Sequence, residues 1–475
     1  MSRVAIAAAI YLGFLARAAT FQAPLFDFHS WRQADTATIA RNFVRGRFDP
    51  LRPEIDARGT RTDGAVETGL ELMAVLAGLA GRLAGFSTHL GRLIAALSFP
   101  LAALLLVRFA RDRYGEAAAA ATAWIYAFGL PLSLFMDRAF MNEPLLSLLT
   151  IVSLRSAQMY LAGRRGALAA LVVASTVLGL VKPPYLIVWF AVAGLFVERR
   201  GWRRGLASWE LGAGLAVNLV AVALWFHHAH EIYVQNVLTF GVTNKMFIPA
   251  TVASPEYWRL VFSRFARDLF GPVVFAAVVY GTVRAAAGRR WAELGGLVGF
   301  AVHLLVVTEG NFNHNYYQLP VMPIAAVLAG AGIVQWTSRA AASRGWNEDR
   351  QLRVVAGILA LAMLATFVRS ASFHSWYETD RARQRTCEDL RPQLNPNDLV
   401  AFVGDLSPDI LFCLDRKGWL YAETTPVPEL RQLIRDGVNV IVIPQRYREL
   451  EQIFADVPQR RLLDSAAFLA VRVKD

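Results

Sequence analysis

The sequence predicts a polytopic α-helical membrane protein with about eleven transmembrane helices and a small α/β domain at its C-terminus. Three features predict this architecture: an apolar composition, arginine clusters between apolar runs, and a change of pattern near residue 370. Of the 475 residues, 55% are hydrophobic and 18% are charged, and the mean hydropathy is +0.37. A soluble protein needs more polar surface than this composition supplies. The chain is therefore expected to lie in a lipid bilayer.

A helix that crosses the hydrocarbon needs about twenty mostly apolar residues. The first apolar run could also be interpreted as a signal peptide, but Arg17 interrupts it and no small-residue cleavage site ends it. We therefore interpret it as the first span. The predicted spans are 4–24, 89–110, 115–136, 143–162, 166–181, 184–198, 207–228, 269–287, 292–308, 316–336 and 352–369.

Arginine clusters between the spans predict the orientation. If the N-terminus is cytoplasmic and the spans alternate, every cluster lies inside, as the positive-inside rule requires. This predicts a multi-pass protein of the inner (cytoplasmic) membrane. The net charge of +12 is then a topology signal rather than a nucleic-acid-binding surface, so no nucleic acid partner is expected. The clusters are Arg108/Arg111/Arg113, Arg164/Arg165, Arg199/Arg200/Arg203/Arg204, Arg289/Arg290 and Arg339/Arg344.

The chain divides into a predicted membrane domain over 1–370 and a predicted periplasmic α/β domain over 371–475. The second region alternates apolar runs with a helical segment, as a compact α/β module does. Its two cysteines, Cys387 and Cys413, allow a disulfide without proving one. The runs are Leu399–Val403, Val438–Ile443 and Phe468–Val473, and the helical segment is Val427–Arg435.

The first outer loop, 25–88, carries two segments that we interpret as interfacial. Ala34–Arg47 reads as an amphipathic helix, with Phe43 on its apolar face and Asp35 on its polar face. Val66–Gly85 is apolar but contains Glu67 and Glu71, and it would break the alternation if counted as a span.

The same loop opens with the densest group of ionisable and hydrogen-bonding side chains in the chain. It contains Asp27, His29, Arg32, Gln33 and Asp35 within a short stretch. A carboxylate beside the end of a span can act as a base in a partly dry site. The alternative is that these side chains only solvate a loop.

Further polar groups occupy other turns that the topology places outside. Arg138 and Glu143 flank the start of the fourth span, where Glu143 could simply favour a helix N-terminus. Lys182 interrupts an apolar stretch, and such charges in membranes are costly and usually functional, although it could also snorkel. A late turn carries His314, Tyr317 and Gln318, where aromatic residues are also common as belt residues. The closely spaced His227, His228 and His230 match no strong metal-ligand pattern.

Carboxylates and cations gathered at one membrane face suit a lipid-linked anionic substrate. With this organisation the sequence resembles the C-type (GT-C) membrane glycosyltransferases, within the family that includes protein O-mannosyltransferases and lipid A aminoarabinose transferases (glycosyltransferase family 39). The resemblance covers about residues 1–340. Its motifs are the acidic first outer loop followed by Ile39-Ala40-Arg41-Asn42, Arg138 with Glu143, Lys182-Pro183-Pro184, and the segment from His314 to Pro323.

One departure from the family pattern concerns the catalytic aspartate after the first span. The family has an Asp-Glu pair there, whereas this chain has Arg32-Gln33, with Asp27 upstream and Asp35 downstream. Either aspartate therefore remains a candidate for the base.

The resemblance implies an inverting hexosyl- or pentosyltransferase of the cell envelope that uses a polyprenyl-phosphate sugar. The acceptor would be a lipid, a glycan or a protein, and membrane lipids would surround the enzyme. The resemblance implies no particular cofactor, and a divalent metal is compatible with the family. The implied catalytic residues are Asp35, Asp27 and Glu143, and the implied substrate-binding residues are His29, Arg32, Gln33, Arg138, Lys182, His314, Tyr317 and Gln318.

Two other classes of protein remain as alternatives. A multi-span transporter or lipid flippase would show inverted repeats and helices broken near the bilayer midplane, and no convincing repeat is visible. A membrane-anchored sensor would make the spans passive, which leaves Arg138, Glu143 and Lys182 unexplained.

Overall fold

The computed structural model describes residues 3–59, 63–241, 246–369 and 371–473, and it is mostly helical with one small sheet. The α-helices are α1 Arg3–Ala18, α2 Ser30–Arg45, α3 Leu72–Ala84, α4 Thr88–Tyr114, α5 Glu116–Phe128, α6 Pro131–Met136, α7 Glu143–Leu161, α8 Ala167–Val181, α9 Val188–Arg200, α10 Trp202–Leu206, α11 Trp209–Asn236, α12 Pro249–Ala253, α13 Pro255–Arg264, α14 Gly271–Ala287, α15 Trp291–Val306, α16 Thr308–Asn313, α17 Met322–Arg344, α18 Glu348–Arg369, α19 Ala371–Trp376, α20 Arg381–Leu390, α21 Asp409–Leu414 and α22 Val427–Arg435.

The chain folds into two units. The first, the helical unit, comprises residues 1–21, 92–227 and 241–376. The second, the mixed unit, comprises residues 22–91, 228–240 and 377–475. The first outer loop of the sequence therefore belongs to the same unit as the C-terminal segment.

The helical unit packs long apolar helices in pairs, including α9 with α15, α5 with α17, and α7 with α8. The first pair comes close because Gly194 has no side chain: a Cβ there would lie 2.1 Å from the carbonyl oxygen of Trp291. Small residues at helix contacts are typical of membrane helices, where close packing replaces the hydrophobic effect.

Four helical segments of the described chain are long and apolar enough to cross a membrane, or five if the bent pair Pro255–Leu269 and Gly271–Ala287 forms one span. Helices occupy all eleven predicted ranges, but several are shorter than predicted. The range 115–136 is divided into α5 and α6 because Gly129 and Pro131 separate them. The number of crossings, eleven, stays a prediction.

A buried ion pair joins two distant parts of the helical unit. The Arg17 guanidinium lies 2.9 Å from Asp137, and the two side chains are 0% and 4% exposed. Arg17 also donates hydrogen bonds to the carbonyl oxygens of Gly13 and Ala127 and lies over the Phe99 ring. The arginine that interrupts the first apolar run is thus fully paired in the protein interior, which is how a charge is tolerated there.

The mixed unit contains a five-stranded sheet of β1 Val400–Val403, β2 Gly418–Tyr421, β3 Val440–Pro444, β4 Arg460–Asp464 and β5 Phe468–Arg472, in the order β2-β1-β3-β5-β4. Strand β1 is parallel to β2 and β3, whereas β5 is antiparallel to β3 and β4. The three predicted strands and the helix Val427–Arg435 are confirmed. Cys387 and Cys413 form a disulfide with a Cα–Cα distance of 5.9 Å.

Helix α2 differs from the expected surface helix because both of its faces are buried. On the polar face, Asp35 and Thr38 are each 2% exposed, and on the apolar face Phe43 is also 2% exposed. The helix packs against α3 and α21 within the mixed unit. The interpretation of Ala34–Arg47 as a helix is confirmed, but its polar side chains are enclosed by protein. The second interfacial segment is helical only from Leu72, and Glu71 stands at its N-cap.

We expect Asp137→Asn to destabilise the protein, because it leaves the Arg17 charge buried without its counterion. The loss should be about 3 kcal/mol or more, as when one partner of a buried pair is removed. Thermal unfolding of the purified protein in detergent measures it. Asp456→Asn is the control, since Asp456 pairs with Arg431 on the surface and should change little. Equal unfolding midpoints for the two variants would contradict the role of the Arg17–Asp137 pair.

Candidate active site

The acidic loop of the mixed unit is ordered by hydrogen bonds at the start of α2. His29 adopts a left-handed conformation, with φ of 59°, immediately before the helix, and its ring contacts Phe28. The Gln33 side chain donates one hydrogen bond to Asp27, at 2.6 Å, and another to the Phe28 carbonyl oxygen. Gln33 therefore holds Asp27, which is 5% exposed, against the first turn of the helix.

Asp35 is buried one turn further along α2. The indole nitrogen of Trp31 donates a hydrogen bond of 2.8 Å to its carboxylate. Burial raises the pKa of Asp35 from 3.8 to about 7, although the nearby Arg32 charge and the Trp31 hydrogen bond act in the opposite direction. A carboxyl group with a pKa near 7 is matched to taking a proton at neutral pH.

Arg32 forms an ion pair with a second carboxylate, that of Glu71. Its guanidinium lies 2.5 Å from Glu71 and 4.3 Å from the centroid of the Phe240 ring. Thr68 also donates a hydrogen bond to Glu71, which is 3% exposed. Our sequence interpretation did not include Glu71 in the site. The available signal was its charge within an apolar stretch, where ionisable residues are usually functional.

The helical unit brings together residues from three separate segments of the chain. The Lys182 amine lies 2.8 Å from the Glu143 carboxylate. Lys182 is fixed between the end of α8 and a 3₁₀ turn that begins at Pro183, and Glu143 is the first residue of α7. The same amine lies 4.6 Å and 4.0 Å from the ring centroids of Tyr316 and Tyr317, within the range of cation–π attraction.

Further hydrogen-bonding groups belong to the segments that meet at Lys182. The His314 ring stacks on Tyr316 and Tyr317, with centroid distances of 5.1 Å and 6.1 Å. Gln318 is fully buried, and neither amide atom has a hydrogen-bond partner in the described part of the chain. The Tyr185 hydroxyl is likewise buried without a hydrogen-bond partner among the described residues. A buried polar atom of this kind is costly unless something satisfies it.

The remaining predicted residue of the helical unit is Arg138, which is 1% exposed and stacks on Phe135 at 4.5 Å. Sequence reasoning also missed His303, a buried residue whose Nε2 lies 2.7 Å from the Tyr317 carbonyl oxygen. The only feature of the sequence that could have indicated His303 is its position inside an apolar helical segment.

The histidines near residue 230 make no metal centre of their own. His228 contacts the Leu51 carbonyl oxygen, and His230 lies 3.5 Å from Glu67. Over the described ranges there is no group of three His, Cys, Asp or Glu side chains placed to hold a metal ion.

Comparisons with known proteins bear on the fold. No protein-family model matches the chain, and no curated protein sequence matches it significantly. Among solved structures, ArnT from Cupriavidus metallidurans bound to undecaprenyl phosphate superposes with a TM-score of 0.68 at 16% identity, covering 98% of this chain and 97% of ArnT. The Archaeoglobus fulgidus oligosaccharyltransferase in complex with Zn and sulfate gives 0.56 at 12% identity, covering 93% of this chain and 68% of that protein.

The chain has the GT-C glycosyltransferase fold. The match to ArnT extends over nearly the whole of both chains. A GT-C fold was the expectation from the sequence, and it is confirmed.

We expect the stability difference between the wild type and Asp35→Asn to depend on pH. The folded protein binds the Asp35 proton more tightly than the unfolded chain, because the folded pKa is about 7 and the usual value is 3.8. The stabilisation that the bound proton gives the folded wild type is complete at low pH and is lost as the pH rises from about 4 to about 7. The free energy of unfolding of Asp35→Asn, whose side chain is neutral at every pH, should therefore increase relative to that of the wild type over this window, by up to about 4 kcal/mol.

Thermal unfolding at a series of pH values measures this difference. The exposed Asp456→Asn variant is the control and should follow the wild type at every pH. A constant difference between the wild type and Asp35→Asn across the window would show that Asp35 does not have a raised pKa.

Proposed function

We propose that the chain is an inverting glycosyltransferase that moves a sugar from a polyprenyl-phosphate carrier to an acceptor hydroxyl. The observation that carries the proposal is the buried Asp35 carboxyl, with a pKa of about 7, in a chain with the GT-C fold. ArnT, which has the same fold, was crystallised with undecaprenyl phosphate. The transferred sugar would be a hexose or a pentose, and the acceptor a lipid, a glycan or a protein.

In the proposed reaction, the acceptor oxygen attacks the anomeric carbon of the donor sugar. The bond between that carbon and the phosphate oxygen breaks, and its electron pair leaves with the polyprenyl phosphate. Asp35 accepts the proton of the attacking hydroxyl, for which it must be ionised. Both carboxylates accept a hydrogen bond, Asp27 from Gln33 at 2.6 Å and Asp35 from Trp31 at 2.8 Å, and we prefer Asp35 because burial raises its pKa to about 7. We assign His29, Arg32 and Gln33 to holding the acidic loop and its substrate.

Lys182 is proposed to neutralise the leaving phosphate. Without substrate its charge is satisfied by Glu143, at 2.8 Å, and by two tyrosine rings. The phosphate of the donor is a diester with one negative charge, whereas the departing polyprenyl phosphate is a monoester with up to two, so it can share this amine with Glu143 or displace it. The buried Gln318 amide offers two donors, and we assign Arg138, His314 and Tyr317 to the same binding role.

We further propose that the eleven predicted spans place the N-terminus in the cytoplasm of an inner-membrane protein. The reaction would then occur on the periplasmic side, where nucleotide sugars are absent and lipid-linked sugars are available. The disulfide between Cys387 and Cys413 supports this orientation, because disulfides form and persist in oxidising compartments.

Replacing the proposed base should reduce turnover strongly. Asp35→Asn should lower kcat for transfer from a polyprenyl-phosphate sugar by a factor of about 10² to 10⁴, as expected for losing a general base. The assay uses purified protein, a radiolabelled lipid-linked sugar and acceptor-containing membrane lipids. Asp27→Asn should retain at least about a tenth of the wild-type kcat. Full activity in both single variants and in the double variant would remove the carboxylate base from the proposal.

The role of Lys182 can be separated from that of its partner Glu143. Lys182→Gln should lower kcat/KM for the donor by about tenfold to a hundredfold, the range for losing a hydrogen bond to a charged group. Lys182→Arg should recover part of this loss because it keeps the charge. The double variant Lys182→Gln/Glu143→Gln is decisive. It should stay as low as Lys182→Gln if the amine contacts the phosphate, whereas recovery to wild-type kinetics would mean that Lys182 only neutralises Glu143.

A further inference from the structure

The disulfide of the mixed unit joins two short helices that flank strand β1 in the sequence. Cys387 belongs to α20 and Cys413 to α21, and the bond closes a segment with a sequence separation of 26. These are the two cysteines of the chain. A thiol reductant therefore acts on this protein through a single bond, which the proposed reaction does not use.

Helix α21 is connected to α20 near both of its ends. At its first residue, the Asp409 carboxylate lies 2.7 Å from the guanidinium of Arg383 on α20. Near its last residue, Cys413 carries the disulfide. The helix has six residues, and a helix of this length does not persist without contacts to its surroundings. The position of α21 therefore depends on these two connections and on the packing of its buried apolar residues.

The disulfide is the stronger of the two connections. Arg383 also forms ion pairs with Asp405 and Asp380, so it keeps counterions if Asp409 moves away. The disulfide is covalent and has no such substitute. Breaking it should therefore be the more effective way to release α21 from α20.

The segment 409–415, which we call the α21 segment, contacts α2 at both ends of that helix. The Ser30 hydroxyl, on the first residue of α2, donates a hydrogen bond of 2.9 Å to Asp409. Eleven residues later, Arg41 donates a hydrogen bond of 2.8 Å to the Phe412 carbonyl oxygen and lies 3.0 Å from Asp415. The α21 segment therefore fixes both the start and the later turns of α2.

These contacts lie on the side of α2 that is turned away from Asp35. At about 100° per residue, Ser30 and Arg41 project from nearly the same face, together with the fully buried Ala37. Asp35 follows Ser30 by five residues and projects about 140° further round the helix. The α21 segment thus acts on Asp35 through the helix, because it supports the opposite face.

We propose that the Cys387–Cys413 disulfide positions α2: the oxidised bond holds the α21 segment against the helix, and reduction releases the helix and displaces Asp35. The effect on catalysis rests on the proposed glycosyltransferase function, whereas the effect on α2 does not. The two cysteines and Asp409 are then positioning residues that act through α2. The transferase would be fully active only where disulfides persist, in oxidising compartments.

The reductant in this proposal is a dithiol. One of its thiolates attacks the sulfur of Cys413, which is half-buried, and the Cys387 sulfur leaves as a thiolate. The second thiol of the reductant then attacks the mixed disulfide. The dithiol ends as its own disulfide, and the two electrons and two protons that it loses convert the cysteines to thiols.

Amide hydrogen exchange in the full-length protein tests the effect on α2 without any sugar donor. The wild type in phosphatidylcholine nanodiscs is compared before and after dithiothreitol, so the protein has folded before the bond is broken. Peptides from α2 and α21 should exchange at least about tenfold faster after reduction. The double variant Cys387→Ser/Cys413→Ser should exchange fast without dithiothreitol and respond no further to it.

Two variants separate the contact with α2 from a general loss of stability. Ser30→Ala removes the hydrogen bond to Asp409 and should accelerate exchange in α2 by about threefold to tenfold, whereas Ser30→Thr keeps a hydroxyl and should exchange nearly as the wild type does. Asp398→Asn is the matched control, because it breaks a buried ion pair with Arg472 in the same unit. Without dithiothreitol it should leave α2 exchange close to that of the wild type.

Sugar transfer from a polyprenyl-phosphate donor tests the positioning role. Reduction should lower kcat by about tenfold to a hundredfold, as expected for a misplaced catalytic group, and reoxidation should restore it. The KM for the donor should change by less than about threefold, because the chemical step and not donor binding is affected.

Equal α2 exchange before and after reduction, or an equal increase in oxidised Asp398→Asn, would overturn the proposal. An unchanged kcat in reduced protein whose α2 exchanges faster would overturn the positioning role. Absence of transfer in the oxidised wild type would instead contradict the proposed function, and the exchange comparison would still decide whether the disulfide holds α2.

Discussion

Burial of the Asp35 carboxyl is the physical constraint on which the proposed chemistry depends. An ionised carboxylate is unfavourable where water is excluded, so the pKa rises to about 7. The burial comes from the position of α2, which packs against α3 and α21. Two neighbours modulate the group: Trp31 donates a hydrogen bond to it, and Arg32 is partly neutralised by Glu71. The same contacts that stabilise the loop therefore determine its acid–base chemistry.

Isolated charges in apolar surroundings form ion pairs with charges of opposite sign. Arg17 and Asp137 neutralise each other among apolar helices, and Lys182 and Glu143 do so beside two tyrosine rings. The two pairs differ in exposure, since the Arg17 side chain is fully buried whereas that of Lys182 is 16% exposed. We interpret the closed pair as structural. The partly open pair keeps a cation available to an anionic ligand.

The sequence predicted the regular elements well where the pattern was continuous. The strands β1, β3 and β5 follow apolar, β-branched runs, and helices occupy each predicted span range. Strand β2 was missed because it is four residues long and begins at Gly418, and β4 because Arg460, Arg461 and Asp464 give it no apolar face. The division into two units could not be predicted either, since it joins the first outer loop to a segment three hundred residues later.

The site was predicted only in part. Lys182 and Glu143 were selected because each charge is unexpected in its segment, but their direct contact joins residues 39 apart and needs the tertiary structure. The burial of Asp35 was not foreseen, because a polar helix face normally indicates solvent. Glu71 was missed because its partner, Arg32, lies 39 residues away in the sequence.

The pH dependence of kcat/KM for sugar transfer tests the central claim most directly, because it reports the ionisation of the base in the free enzyme. If Asp35 accepts the proton, kcat/KM rises with pH and levels off above an apparent pKa near 7. A profile that is flat through this region, or that levels off near pH 4, would contradict a buried Asp35 acting as the base.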